Sequence, residues 1–262
     1  MSAPAPIRAD LRESGGLLEL VIDVPKGNVL TGTVMRALEA LLVEHASRPE
    51  LRLVTIRGEG RNFSFGASVE EHRRETVREM LTTFHGLIRR VASYPVPVAT
   101  LVEGRCLGGA FELALASHFV LATRTAVFAC PEIKLGVLPP VLAALGPARL
   151  GGALSERLLL TGAELGVDAA HAVGLVSAIA PDDVPLESFA RDWYRQALAP
   201  LSAMALRQGV RATRRGAQLD VCLSETLAAI ERQYLDEVVT SHDGNEGIEA
   251  FIARREPVWR NA

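Results

Sequence analysis

Two glutamates, Glu112 and Glu132, stand in this 262-residue chain where a carboxylate needs a reason. Glu112 falls in the first turn of an apolar helix read from Ala110, Phe111, Leu113, Ala114 and Leu115. An unpartnered carboxylate is costly there unless a helix N-terminus or a function accounts for it. Glu132 follows Pro131 within the apolar stretch AVFACPEIKLGVLPP. Two carboxylates beside one reacting carbon can divide acid and base roles, with partial burial raising their pKa values. The structural alternatives are a helix-dipole partner for Glu112 and an ion pair from Glu132 to Lys134 or an arginine. The residues alone leave both open.

Two glycine turns come next. Gly104-Arg105-Cys106-Leu107-Gly108-Gly109 follows a buried strand and opens the Glu112 helix, so its small residues admit a ligand close to unpaired amides. Phe63-Ser64-Phe65-Gly66-Ala67-Ser68 is a second such turn. Together they can aim two amides at one oxygen as an oxyanion hole, or serve only a chain bend and helix packing. Neither is a dinucleotide GxGxxG or a phosphate-binding GxxxxGK[ST] loop. The histidines (45, 72, 85, 118, 171 and 242) lack ligand spacing, so no metal is expected, and no GxSxG elbow supports a serine hydrolase. His118 reads as a satisfied core or interface histidine, and Arg211–Arg215 as a solvated helix face.

The elements that position these groups alternate. Residues 17–23, 51–57, 96–104, 119–122 and 126–129 read as short strands, with helices over Gly32–Ala46, about Glu75–Ser93, Leu154–Leu160 and Ala163–Val173. Thr31 or Thr33 is placed to cap the first helix. Residues 186–199, 201–214, 217–240 and 244–254 read almost wholly as helices. A boundary near 190 therefore separates an α/β core (1–190) from a helical region (191–262). No internal repeat stands out.

Composition narrows the functional classes. With 48% hydrophobic residues, the chain can bury a sizeable core. A net charge of −3 argues against a broad nucleic-acid surface. Three widely spaced cysteines suit a reducing cytoplasm better than a disulfide framework or a zinc site. No apolar run reaches membrane-spanning length, so no membrane partner is expected.

Taken in order, PKGNVL, NFSFGAS, EGRCLGGAFELALA, CPEIKLGVLPP, LTGAELGVDAAHAVGLVSAIAP and SHDGNEGIEAFIARREPVW resemble the crotonase (enoyl-CoA hydratase/isomerase) superfamily over nearly the whole chain. The resemblance implies an α/β fold, a spiral of repeated ββα units, with a C-terminal helical region that builds homotrimers or homohexamers. It implies an acyl-CoA thioester substrate, with CoA as part of the substrate and no separate cofactor. It makes the amides of Ala67 and Gly109 the oxyanion hole and Glu112 and Glu132 the catalytic pair. Lys26, Ser68, Val69, Gly108, Leu138 and Pro139 become substrate or CoA contacts, Lys26 matching a position that meets the CoA nucleotide. Departures from the family pattern are Ser68, Glu70 and His118 at positions usually Asp, Lys and Asp. GVLPPVLAALGPARLG also replaces the glycine-rich loop after the second glutamate. FSFGASVEEH with PEIKLGVLPP looks most like hydratases acting on cyclohexa-1,5-diene-1-carbonyl-CoA in benzoyl-CoA degradation. These add water in a 1,4 sense to give a 6-hydroxycyclohex-1-ene-1-carbonyl-CoA. The alternatives are a general 2-enoyl-CoA hydratase, an enoyl-CoA isomerase, or a non-catalytic CoA- or RNA-binding member. Both glutamates are present, which argues against a silent CoA-binding scaffold, and aromatic–basic interleaving is absent, which argues against RNA binding.

Overall fold

The computed structural model describes residues 5–262. Its strands are β1 (Ile7–Arg12), β2 (Leu17–Ile22), β3 (Leu53–Gly58), β4 (Val98–Val102), β5 (Arg105–Leu107), β6 (Phe119–Ala122), β7 (Val127–Ala129), β8 (Leu165–Gly166) and β9 (Ala178–Ile179). Its helices are α1 (Gly32–His45), α2 (Val77–Ala92), α3 (Gly109–Ala116), α4 (Pro140–Leu150), α5 (Gly152–Thr161), α6 (Val167–Ala172), α7 (Leu186–Ala197), α8 (Ala203–Gly216), α9 (Leu219–Val221), α10 (Leu227–Gln233) and α11 (His242–Ile252). One sheet runs β1-β2-β3-β4-β6-β9, parallel from β2 onward, and a second runs β5-β7-β8.

The expected spiral is present. β4, β5 and α3 form one turn, and β6 and β7 lead to the helical segments that follow as the next. Two isolated parallel bridges, Ser64 to Cys106 and Leu30 to Ala67, extend the short second sheet back into the preceding turns. Each turn thus contributes one strand to the large sheet, one short segment to the small sheet, and a helix. Corresponding points in successive turns become neighbours.

Thr31 caps α1, its side chain accepting from the Val34 amide. Differences from the sequence reading have local causes. β1 went unread because only Ile7 of its six residues is buried, leaving a charged edge strand without apolar alternation. The segment taken as a pocket-wall loop after Glu132 holds α4, with Pro140 at its first helical position, where a fixed φ and a missing N–H are tolerated. The helix expected over 163–173 divides into β8 and α6. The long helix expected over 217–240 is interrupted by π-helical turns at Cys222–Thr226 and Tyr234–Val238.

The large sheet is covered on both faces. Leu18, Leu20, Ile22, Val54 and Ile56 point into the main core with α1 to α4, while Leu17, Leu53, Leu101 and Leu121 pack under α7 through Leu186, Ala190 and Tyr194. Leu219, Leu223, Leu227, Tyr234 and Ile248, all beyond residue 190, belong to the same core as Leu113, Leu142 and Leu145. Arg214 departs from the solvated-face reading. It turns inward, donating to Ala116 O at 2.6 Å and lying 3.2 Å from His118 Nε2. His118 also accepts from the Val98 amide, and burial with Arg214 and Arg149 nearby drives its pKa down to about 2. No helix among the described residues is long and apolar enough to cross a membrane.

Leu227 is fully buried, so Leu227→Ala is expected to cost about 2–5 kcal/mol, read by urea denaturation. Because α10 shares the core, that loss should shift one common transition followed by CD and by tryptophan fluorescence. Two separated transitions would contradict the shared core.

Candidate active site

The spiral brings the two glycine turns together. Gly66 has φ +91°, and a Cβ there would lie 2.5 Å from Leu107 O and 3.1 Å from the Gly109 amide nitrogen. At Gly109 the corresponding position is 3.4 Å from the Ala67 amide nitrogen. The turns therefore touch, and any side chain at Gly66 would drive them apart. Ser64 locks the first turn, its hydroxyl donating to Asn28 O at 2.7 Å and accepting from the Gly66 amide at 3.0 Å. Among the described residues, neither the Ala67 nor the Gly109 amide has a protein acceptor. Both residues line a cavity of about 470 Å³. The amides at a helix N-terminus carry partial positive charge, so an oxygen gaining negative charge is favoured beside Gly109, where α3 begins.

Both glutamates reach the same cavity. Glu112 is 2% exposed, and its Oε1 accepts the amides of Val141 at 2.7 Å and Leu142 at 2.9 Å. These are unpaired N–H groups of the first turn of α4, so the helix-terminus partner of Glu112 belongs to α4 and not to its own helix. Burial raises the Glu112 pKa to about 7 against the lowering by these two bonds. Glu132 stands on the 3₁₀ turn Pro131–Leu135, half-buried and facing the cavity, with Oε2 closed off and lacking a hydrogen-bond partner. Burial, then the Glu112 charge, raises its pKa to about 8. Lys134 is exposed, and Glu132 has no ion pair among the described residues. Gly108, at φ +52°, is the clearance for Glu132, because a Cβ there would sit 2.6 Å from Oε1.

The remaining walls are mostly apolar. Val69, Met80, Leu81, Phe84, Val137, Leu138, Pro139 and Pro140 line the cavity, with Phe65 and Phe251 partly exposed. Of the residues expected at the site, Ala67, Val69, Gly108, Gly109, Glu112, Glu132, Leu138 and Pro139 meet here. Ser68 does not line it; its carbonyl instead lies 2.8 Å from Nδ1 of His72, which does. Burial lowers the His72 pKa, favouring a neutral ring. Lys26 is exposed in a left-handed turn bordering a separate shallow depression with Asp23, Gly27 and Arg61. The next residue, Gly27, abuts the Phe65 ring. His72 and Tyr234 line the cavity without having been singled out by spacing. Tyr234 lies far along the chain in a helical run whose sequence gave no sign of an interruption.

A family model described as enoyl-CoA hydratase/isomerase matches residues 12–262. Cyclohexa-1,5-dienecarbonyl-CoA hydratase of Thauera aromatica is 38% identical over 259 residues, covering 99% of this chain and 98% of the relative. Carnitinyl-CoA dehydratase of Salmonella typhimurium is 31% identical over 261 residues, covering 95% and 97%. Among solved structures, an enoyl-CoA hydratase from Mycobacterium avium subsp. paratuberculosis superposes with a TM-score of 0.84 at 29% identity, covering 97% of this chain and 98% of that one.

The raised pKa values make a stability prediction. An unfolded chain ionises both carboxyls near 4.5, whereas the folded protein keeps their protons to about 7 and about 8. The folded state therefore binds more protons across this window, and the pair's contribution to stability falls as pH rises through it. Glu112→Gln and Glu132→Gln should each flatten that dependence in urea denaturation at pH 5, 6, 7 and 8. Unchanged slopes in both variants would mean that the two groups ionise as exposed carboxylates do.

Proposed function

The chain belongs to the enoyl-CoA hydratase/isomerase family and is an enzyme of the hydro-lyase type; from that premise we propose that it hydrates a conjugated alicyclic dienoyl-CoA such as cyclohexa-1,5-diene-1-carbonyl-CoA. The observation that carries this reading is the apolar cavity lined by two carboxyls that have no ion pair among the described residues and by Ala67 and Gly109 with their unpartnered amides, walled on one side by Leu138, Pro139 and Pro140. A stiff wall of this kind suits a flat ring. Support for the ring also comes from the Thauera relative, whose identity extends over nearly its whole length.

In this proposal the thioester oxygen accepts from the Ala67 and Gly109 amides, which draws electrons from the conjugated system and makes the β carbon electrophilic. Glu112 accepts a proton as the water oxygen bonds to that carbon, because its α4 amides favour the carboxylate. Glu132 holds the proton of the singly protonated pair and delivers it to the far end of the resulting dienolate, the γ carbon, where the 1,4 sense of addition requires it. A hydroxyl on the β carbon and a proton on the γ carbon, together one water, are thereby added, and the thioester carbonyl is restored. CoA enters as part of the substrate, and the scheme needs no other cofactor. Lys26 as a contact to the CoA nucleotide, and a homotrimeric or homohexameric assembly in the cytoplasm, belong to the same proposal.

Glu112→Gln and Glu132→Gln should each lower kcat by roughly 10²–10⁴-fold, with KM changed far less, because each removes proton transfer while keeping shape. Steady-state hydration of the cyclic dienoyl-CoA and of crotonyl-CoA, compared at equal enzyme, checks the substrate. Turnover of crotonyl-CoA alone would overturn the alicyclic reading.

A further inference from the structure

Tyr234 is a buried polar side chain of the cavity that the proposed chemistry leaves unused. It is 2% exposed, and among the described residues lining the cavity it carries the only hydroxyl. Among the described residues that hydroxyl has no hydrogen-bond partner, and it is not sealed inside the core; Tyr234 lines the cavity, so the hydroxyl is open to a ligand there. Burial, followed by the Glu132 and Glu112 charges, raises its pKa, so the phenol stays protonated and able to donate. Its position depends on a local irregularity. Tyr234 opens the π-helical turn Tyr234–Val238, closed by the Val239 amide donating to Tyr234 O at 2.9 Å. Such widened turns cost hydrogen-bond geometry and occur often at functional sites.

The chemistry of an added oxygen supplies a use for this donor. The oxygen joining the substrate gives one proton to Glu112, and Glu132 is occupied with the carbon. That oxygen keeps a lone pair for which neither glutamate is a donor, and in a mostly apolar cavity an unmade hydrogen bond is expensive. We propose that Tyr234 donates a hydrogen bond to the oxygen added to the acyl group, and so selects hydroxylated product and its incoming water over ligands that lack this oxygen. The inference rests on the hydratase reading, but not on the ring.

Tyr234→Phe keeps the aromatic packing and removes only the donor. Calorimetric affinities of wild type and variant would be measured for 6-hydroxycyclohex-1-ene-1-carbonyl-CoA and for cyclohex-1-ene-1-carbonyl-CoA, with thermal melts to verify folding. The expected result is a loss of about tenfold or more for the hydroxylated ligand, with the other ligand within about twofold. Equal losses for both, or no loss for either, would overturn the role of Tyr234. If wild type binds neither ring ligand, the alicyclic substrate reading fails. The same comparison with 3-hydroxybutyryl-CoA and butyryl-CoA then decides Tyr234, and a variant without selective loss there would also overturn it.

Discussion

The site depends on the hydrogen bonds from Val141 and Leu142 to one oxygen of Glu112. A carboxyl in the first turn of the apolar helix α3 would otherwise be an unpaired polar group in a core of Phe111, Leu113 and Leu115. The N-terminus of α4 supplies two amides and a partial positive charge, which makes burial tolerable without an arginine or lysine to neutralise the group. An ion pair would have fixed the charge and removed its capacity to exchange a proton. Amide donors leave Glu112 titratable, and the same contact ties α3 to the helix that forms the apolar wall. Pocket shape and the setting of the Glu112 carboxyl are therefore fixed by one contact.

The convergence of the Ala67 and Gly109 amides, the proposed oxyanion hole, follows from repetition in the backbone. Ala67 and Gly109 lie just after equivalent short segments in consecutive turns of the spiral, linked by the Ser64–Cys106 bridge. Parallel stacking brings equivalent points side by side, so two amides more than forty residues apart in sequence converge. The approach is so close that Gly66 must be glycine, because Leu107 O occupies the place of a Cβ. At Gly108 the glycine instead makes room for Glu132. Each glycine meets a different steric demand, which is why the two turns do not resemble one another in sequence despite their equivalent roles.

Much of this was legible in the residues, because the signals were local. A carboxylate among apolar neighbours, glycines following strands, and β-branched runs of strand length identified Glu112, Glu132, both turns and most of the large sheet. What remained hidden depended on tertiary contacts. The repeat is invisible in the sequence because it resides in chain direction, with different side chains filling each turn. α4 looked like a loop because it takes the place of the family's glycine-rich loop, although Pro140 at the first helical position starts a helix there. Arg214 looked solvated within a basic run, and only packing against Ala116 and His118 turns it inward. Tyr234 had no marker at all, since the π-helical turn that opens at it reflects how α10 and its continuation meet the core.

Burying two acids together opposes folding, yet the proposed reaction gives the coupling a use. During hydration Glu112 gains the water proton and Glu132 loses its own to carbon, so the pair remains singly protonated and its net charge does not change. The cavity therefore undergoes no net change of charge across the step, which in an apolar setting would be the expensive event. After turnover the proton resides on Glu112 and must return to Glu132 before the next cycle. Burial raises the pKa of both carboxyls, and neither is held ionised by a cation among the described residues, so the proton can pass back between them. A strong ion pair on either glutamate would strand the proton on one side. Among the described residues neither carboxyl has a cationic partner, and in the proposed reaction that arrangement, costly for stability, lets the site reset.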